Sequence, residues 1–273
     1  VSWRRVAIIV RKEWLETLHN RTIIITFVGL AAMFTVLPLV LAFAIPSLSP
    51  DLFSSPGSPS DVSDVPPLFQ ESIADVGHLS SVAQFQVFML RQFLVFFLIL
   101  PVMGAISIAT FSIIGEKTSR SLEALLATPI RTDELLLGKT LASSVPAVVA
   151  TWIAFAVFAS LVLLLGGPDV ARLAVDTTSI IGIAVMVPLI ALLGLGLGVI
   201  VSSRAKDPRS AQQVAGIVVL PLVVVIVGQS AGLFIVGPGL VLAGAFGLLI
   251  MDAVVLAAGV KLFDREAILT RWK

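Results

Sequence analysis

Residues 88–117 read FMLRQFLVFFLILPVMGAISIATFSIIGEK. From Phe88 to Ile114 the only charged residue is Arg91, close to the start; charge then returns abruptly at Glu116 and Lys117. A helix needs about 20 apolar residues to cross the hydrocarbon of a bilayer, so the run 88–114 is long enough to span one. The acid and base that follow mark where it leaves.

Working outward, five further runs have the same character, at 22–46, 141–165, 178–202, 212–236 and 239–262. Composition agrees: 58% of the 273 residues are hydrophobic and 13% charged, where a soluble domain carries roughly a quarter charged residues. The expectation is an all-α polytopic membrane protein with six transmembrane helices, forming one transmembrane domain over 1–273. The first run ends in small residues, as a secretory signal does, but it is too long for one and is read as a retained anchor. Cysteine is absent, which excludes disulfides, zinc-thiolate sites and a cysteine nucleophile.

The net charge of +1 conceals a strong asymmetry. Of the 18 Lys and Arg residues, all but Arg91 and Arg172 fall in the segment before the first run, in 115–139, between the fourth and fifth runs, or from the last residues of the sixth run onward. These four segments share one side if the six runs cross. The positive-inside rule makes that side cytoplasmic and predicts that both termini lie there.

The segment 115–139, GEKTSRSLEALLATPIRTDELLLGK, is then a cytoplasmic loop. Putting Glu116, Lys117, Arg120 and Glu123 into hydrocarbon would cost on the order of 10 kcal/mol. Leu122, Leu125 and Leu126 follow i, i+3, i+4 spacing, which predicts a short amphipathic helix. Pro129 should end it, since proline disfavours helical geometry in the residue before it. Thr132 can cap the next helix, with Asp133 and Glu134 in its first turn where the helix dipole favours acids. The competing reading is an ordinary solvated loop.

Glu116, the Leu122-Glu123 and Leu125-Leu126 pairs, Thr128-Pro129 and the run Glu134-Leu135-Leu136-Leu137-Gly138-Lys139 together resemble the signature of the ABC type-2 permeases, the membrane subunits of many ABC exporters. One difference is Arg120-Ser121, where that family often has Gly-Thr. The resemblance implies that 115–139 holds a coupling helix seated on an ATPase subunit, with Glu116, Lys117, Arg120, Leu122, Glu123, Leu125, Leu126 and Pro129 as the coupling residues. It also implies the partners: two copies of a separate ATPase, which binds ATP and Mg, and a second permease copy or close homologue. The chain itself would carry no cofactor, bind no nucleic acid and catalyse nothing.

Residues 3–19 place Trp3, Val6, Ile9 and Val10 at helical spacing among Arg4, Arg5, Arg11 and Lys12, the pattern of a basic amphipathic helix in the membrane interface. Membrane lipids are therefore partners too. In the resembled family such a helix also links permease and ATPase. The extracytoplasmic loop 47–86 begins as a Ser/Pro/Asp-rich stretch, with a short surface helix expected at 68–83.

Other motifs carry less. Gly138-Lys139-Thr140 ends like a phosphate-binding loop, but the glycine required at 133 is Asp133. Gly194, Gly196 and Gly198 imitate a dinucleotide fingerprint inside an apolar run, where small residues serve close helix packing. His19 and His78 stand alone, so no metal cluster is expected. Asp252 is the one acid within a span; such residues are costly and are usually partnered or functional. A gradient-driven secondary transporter is the alternative function, and Asp252 is the residue it would use.

Overall fold

The computed structural model describes residues 2–53, 79–118, 132–204, 210, 213, 216–231, 233 and 236–262. The described elements are all helical: α1 Trp3–His19, α2 Arg21–Leu48, α3 Ser81–Leu94, α4 Ile99–Thr118, α5 Thr132–Ala174, α6 Thr177–Arg204, α7 Val219–Ser230 and α8 Pro238–Leu262. Short 3₁₀ turns occupy Pro50–Phe53, Val95–Leu98 and Gly216–Val218.

Among the described residues, five helices are long and apolar enough to cross a membrane: Arg21–Leu48, Ser81–Gly115, Leu137–Ala174, Thr177–Ser202 and Pro238–Ala258. The protein is an all-α, multi-pass membrane protein. The expected fifth span, 212–236, is described as the turn Gly216–Val218 and the short helix α7, whose apolar stretch Gly216–Gln229 is shorter than the others. The surface helix expected at 68–83 falls largely on 54–78, outside the described residues, and the described helix begins at Ser81. There Ser80 caps it, its Oγ accepting from the Ala83 amide at 3.3 Å.

Local chemistry sets the breaks. The span Ser81–Gly115 is one rod interrupted by the 3₁₀ turn Val95–Leu98. Pro101 explains it: a proline has no N–H to donate and its ring crowds the carbonyl four residues back, at Phe97. In α5 the break is at Gly167, whose φ of 74° suits a residue without Cβ. Pro168 opens the next turn. The short segment beyond folds back onto the core, with Val170 and Ala174 buried and Arg91 Nε donating to the Leu173 carbonyl at 2.8 Å. The apolar run seemed to stop at 165 because Gly166-Gly167-Pro168-Asp169 interrupts hydropathy, although the chain remains helical on both sides.

The span Ser81–Gly115 is the centre of the bundle. Within it 78% of the most apolar window is buried, against 17% for Pro238–Ala258. Its Phe97 packs on Phe158 at 5.2 Å and edge-on to Phe155 at 5.7 Å, joining α5 to the core. A second, small-residue cluster of Ala105, Ala109, Ala147, Ala191 and Leu195 lets α4, α5 and α6 approach closely. The glycine alternation in α6 is used on two faces. A Cβ on Gly194 would sit 3.0 Å from the Val102 carbonyl oxygen and one on Gly198 3.2 Å from Ala109 Cβ, both on α4; Gly196 faces Val255 of α8. These are packing glycines, as expected, and α6 is the layer between α4 and α8.

Large apolar side chains cover the periphery, among them Ile25 and Val28 on α2, Ile153 and Leu164 on α5, and Phe246 and Val254 on α8. That surface fits a lipid solvent. Two threonine hydroxyls inside the spans return to their own helices: Thr110 donates to the Ile106 carbonyl at 2.8 Å and Thr151 to that of Ala147 at 2.7 Å.

Candidate functional site

The segment singled out in the sequence leaves the bundle from α4 and returns at α5. Arg120, Leu122, Glu123, Leu125, Leu126 and Pro129 lie outside the described residues. Glu116 and Lys117 fall in the last turn of α4, where the backbone alone is described. The two roots of the segment are described, and they are joined.

The join is made by α1. Its buried stripe is Val6, Ile9 and Glu13, spaced i, i+3, i+7. The stripe lies along the first turns of α5, whose facing residues are Glu134, Gly138 and Ala142 at i, i+4, i+8. Gly138 is needed for the fit, because a Cβ there would lie 2.8 Å from Ile9 Cγ2. Contacts ascend together along both helices, so α1 and the start of α5 run in the same direction. At one end the Ser2 amide donates to Glu134 Oε1 at 2.7 Å and Arg5 Nη1 to Oε2 at 3.3 Å. At the other, Trp14 Nε1 donates to the Ala142 carbonyl at 3.1 Å.

Between them lies a buried ion pair. Lys139 Nζ donates to Glu13 Oε1 at 3.1 Å and to Ser112 Oγ at 2.7 Å. The side chains of Lys139 and Glu13 are only 6% and 4% exposed. One ammonium therefore ties three elements: α1 through Glu13, the end of α4 through Ser112, and the start of α5 through its own backbone. Removing one partner of a buried pair costs about 3–5 kcal/mol, because the other charge is left without compensation. Arg5 is 47% exposed, so its bond to Glu134 is the weaker of the two ties.

The motif residues Glu134, Gly138 and Lys139 thus have definite tasks: an acceptor for α1, a gap for Ile9, and the central cation. The sequence pattern named Arg5 only as one of the basic residues of α1, and it did not single out Glu13 or Ser112. The signal for Glu13 was an acid standing in the apolar stripe of an amphipathic helix, which requires a buried cation from elsewhere.

Asp252 lies on α8 among residues that face α6, 5% exposed, and neither carboxylate oxygen has a hydrogen-bond partner among the described residues. The polar neighbour expected for it is thus not seen there. Among the described residues no three His, Cys, Asp or Glu side chains group as metal ligands would.

Residues 7–240 match the family model described as "ABC-2 family transporter protein", from α1 through the opening of α8. No curated protein matches the sequence.

Proposed function

This chain belongs to the ABC-2 transporter family, and from that premise we propose that it is the permease subunit of an ATP-driven exporter whose coupling element is the segment between α4 and α5. Membership makes it a non-catalytic transmembrane permease within an ABC transporter system. The finer reading adds six crossings, both termini in the cytoplasm, a second permease copy or close homologue across a central path, and two separate ATPase subunits that bind ATP and Mg.

The observation that supports coupling is the Lys139 tie. Force applied to 119–131 enters the membrane through two roots, and Lys139 holds both of them to α1. A displacement of the loop by an ATPase then moves the end of α4, the start of α5 and α1 as one body. Without the tie, the two roots could move independently of α1 and the load would be lost. Glu116, Lys117, Arg120 and Glu123 supply the charge that meets the soluble partner, and Leu122, Leu125 and Leu126 hold the helix that Pro129 ends.

The test is to disturb the loop while leaving its roots intact. Glu123→Arg sets a reversed charge at the interface, where like charges cost several kcal/mol, and Leu125→Asp places a charge among the leucines. Both sites lie outside the bilayer, so membrane insertion is expected to be normal. The expected result is a permease that purifies monodisperse but no longer retains its ATPase. Full complex recovery and transport in both variants would reduce the segment to a solvated loop.

The gradient-driven alternative draws on the carboxylate of Asp252, which has no hydrogen-bond partner among the described residues. Asp252→Asn keeps the size and removes the charge, so assembly should be preserved. Undiminished transport by that variant would eliminate any transport role for the residue.

A further inference from the structure

Beside its buried stripe, the flank of α1 is left open where it meets α5. Between α1 and α5 runs an open groove of about 530 Å³, walled by Trp3, Val10, Trp14 and Leu18 on one side and Leu141 and Val145 on the other. Its single charged lining residue is Arg11. We propose that this groove is a binding site for an anionic phospholipid of the leaflet in which α1 sits, one acyl chain lying between the helices and the phosphate meeting Arg11 and Arg4.

Three observations select that occupant. The first is charge. Arg5 and Lys12 are engaged by carboxylates, Arg5 by Glu134 at 3.3 Å and Lys12 by Glu16 at 3.5 Å. Among the described residues no carboxylate pairs with Arg4 or Arg11, both exposed and seven residues apart on one side of α1. The second is polarity along the groove. Because α1 and α5 ascend together, the turn that holds Arg4 lies level with Glu134, Arg11 lies near the level of Gly138 and Lys139, and beyond Arg11 the lining is apolar, from Trp14 and Leu18 to Leu141 and Val145. A lipid has the same gradient, from phosphate to hydrocarbon. The third is continuity. The next exposed large apolar side chains of α5 beyond Val145 are Val149, Trp152 and Ile153, so the apolar floor runs from Leu141 for about 16 Å at 1.5 Å per residue. A soluble partner cannot follow it into the membrane. A second copy docked face to face would set the same arginines against each other. Tryptophans at such a boundary place an amphipathic ring at headgroup level.

The groove adjoins the buried stripe at Val6 but is lined by neither Glu13 nor Lys139, and it does not depend on the coupling role. The probe is brominated phosphatidylglycerol, compared with brominated phosphatidylcholine, in vesicles containing the full chain. Trp14 serves as the only fluorophore after Trp3→Phe, Trp152→Phe and Trp272→Phe. A basic residue near an anionic surface contributes about fivefold in affinity. The anionic lipid should therefore quench Trp14 at a several-fold lower mole fraction than the zwitterionic one, and Arg4→Gln with Arg11→Gln should abolish the difference. Val145→Phe, or Leu141→Phe if the first variant is not monodisperse, fills the groove and leaves the charges in place; it should abolish the preference too. Equal quenching by the two lipids would overturn the proposal. A preference that survives both filling variants would do so as well, since it would reflect diffuse attraction to a basic helix. Absence of quenching by either lipid would mean that protein, a second copy or a partner, covers the groove.

Discussion

Glu13 occupies a position that the periodicity of its helix assigns to an apolar side chain. Val6 and Ile9 fill the same stripe, and the acid is tolerated there because Lys139, 126 residues away in the chain, supplies a buried cation. The free energy of such a pair lies in the partnership, since desolvating either charge alone is the larger cost. Lys139→Met should destabilise the protein by about 3–5 kcal/mol and Glu13→Gln by less, both read as a lowered thermal midpoint in detergent. The double variant Glu13→Leu with Lys139→Met replaces the pair by two apolar side chains and should recover most of the loss. If the losses measured for Glu13→Leu alone and Lys139→Met alone simply add in this double variant, the residues do not act together and the tie is not a unit. This is also where the sequence was least informative. Lys139 stood inside a recognisable motif, but Glu13, in the run RKEWLE, was not singled out by the pattern of Trp3, Val6, Ile9 and Val10. Nothing local to either residue names its partner; only the packing of α1 on α5 does.

Helix packing was legible to about half its depth. Alternating Gly194, Gly196 and Gly198 in an apolar run implies close approach of neighbouring backbones, and that is how they are used. Which neighbour meets which glycine followed only from the topology, α4 on one side of α6 and α8 on the other. Helix ends were less legible than helix centres, because hydropathy measures burial and not backbone geometry: α5 continues through Gly167 and Pro168 to Ala174 by spending one left-handed residue. The glycine assignment is open to a matched pair of substitutions. Gly194→Leu drives a side chain toward the Val102 carbonyl, which belongs to backbone and cannot rotate away, and overpacking of this kind costs about 1–3 kcal/mol. Gly29→Leu makes the same chemical change on α2, where an added Cβ meets nothing within 4 Å. The first variant should lose thermal stability and monodispersity, and the second should not. Equal behaviour of the two would place α4 and α6 farther apart than the packing here requires.

At the scale of the whole molecule the open question is the number of crossings, and charge and length pull on it differently. Five long apolar helices alone would leave the two ends of the chain on opposite faces. The basic residues ask for an even number, because Arg4, Arg5, Arg11 and Lys12 at one end and Lys261, Arg265, Arg271 and Lys273 at the other should share the cytoplasmic side. The sixth crossing must then be made by the region around α7. The stretch Gly216–Gln229 rises only about 20 Å as a helix, short of a hydrocarbon core of roughly 30 Å, so flanking residues or local thinning of the bilayer must supply the remainder. Single cysteines in this otherwise cysteine-free chain decide the matter. Those placed at Ser58 and Ser60 should react with a membrane-impermeant maleimide in intact cells, and those at Ser119 and Ser210 only after permeabilisation. The informative pair is Ser210 and Gly237, on either side of α7. Labelling of Gly237→Cys from outside together with protection of Ser210→Cys requires that the chain cross between them, short helix or not. Protection of both would leave α7 as a re-entrant or surface segment. The C-terminal basic cluster would then face outward, and the positive-inside argument for placing the α4–α5 segment beside a cytoplasmic ATPase would lose its support.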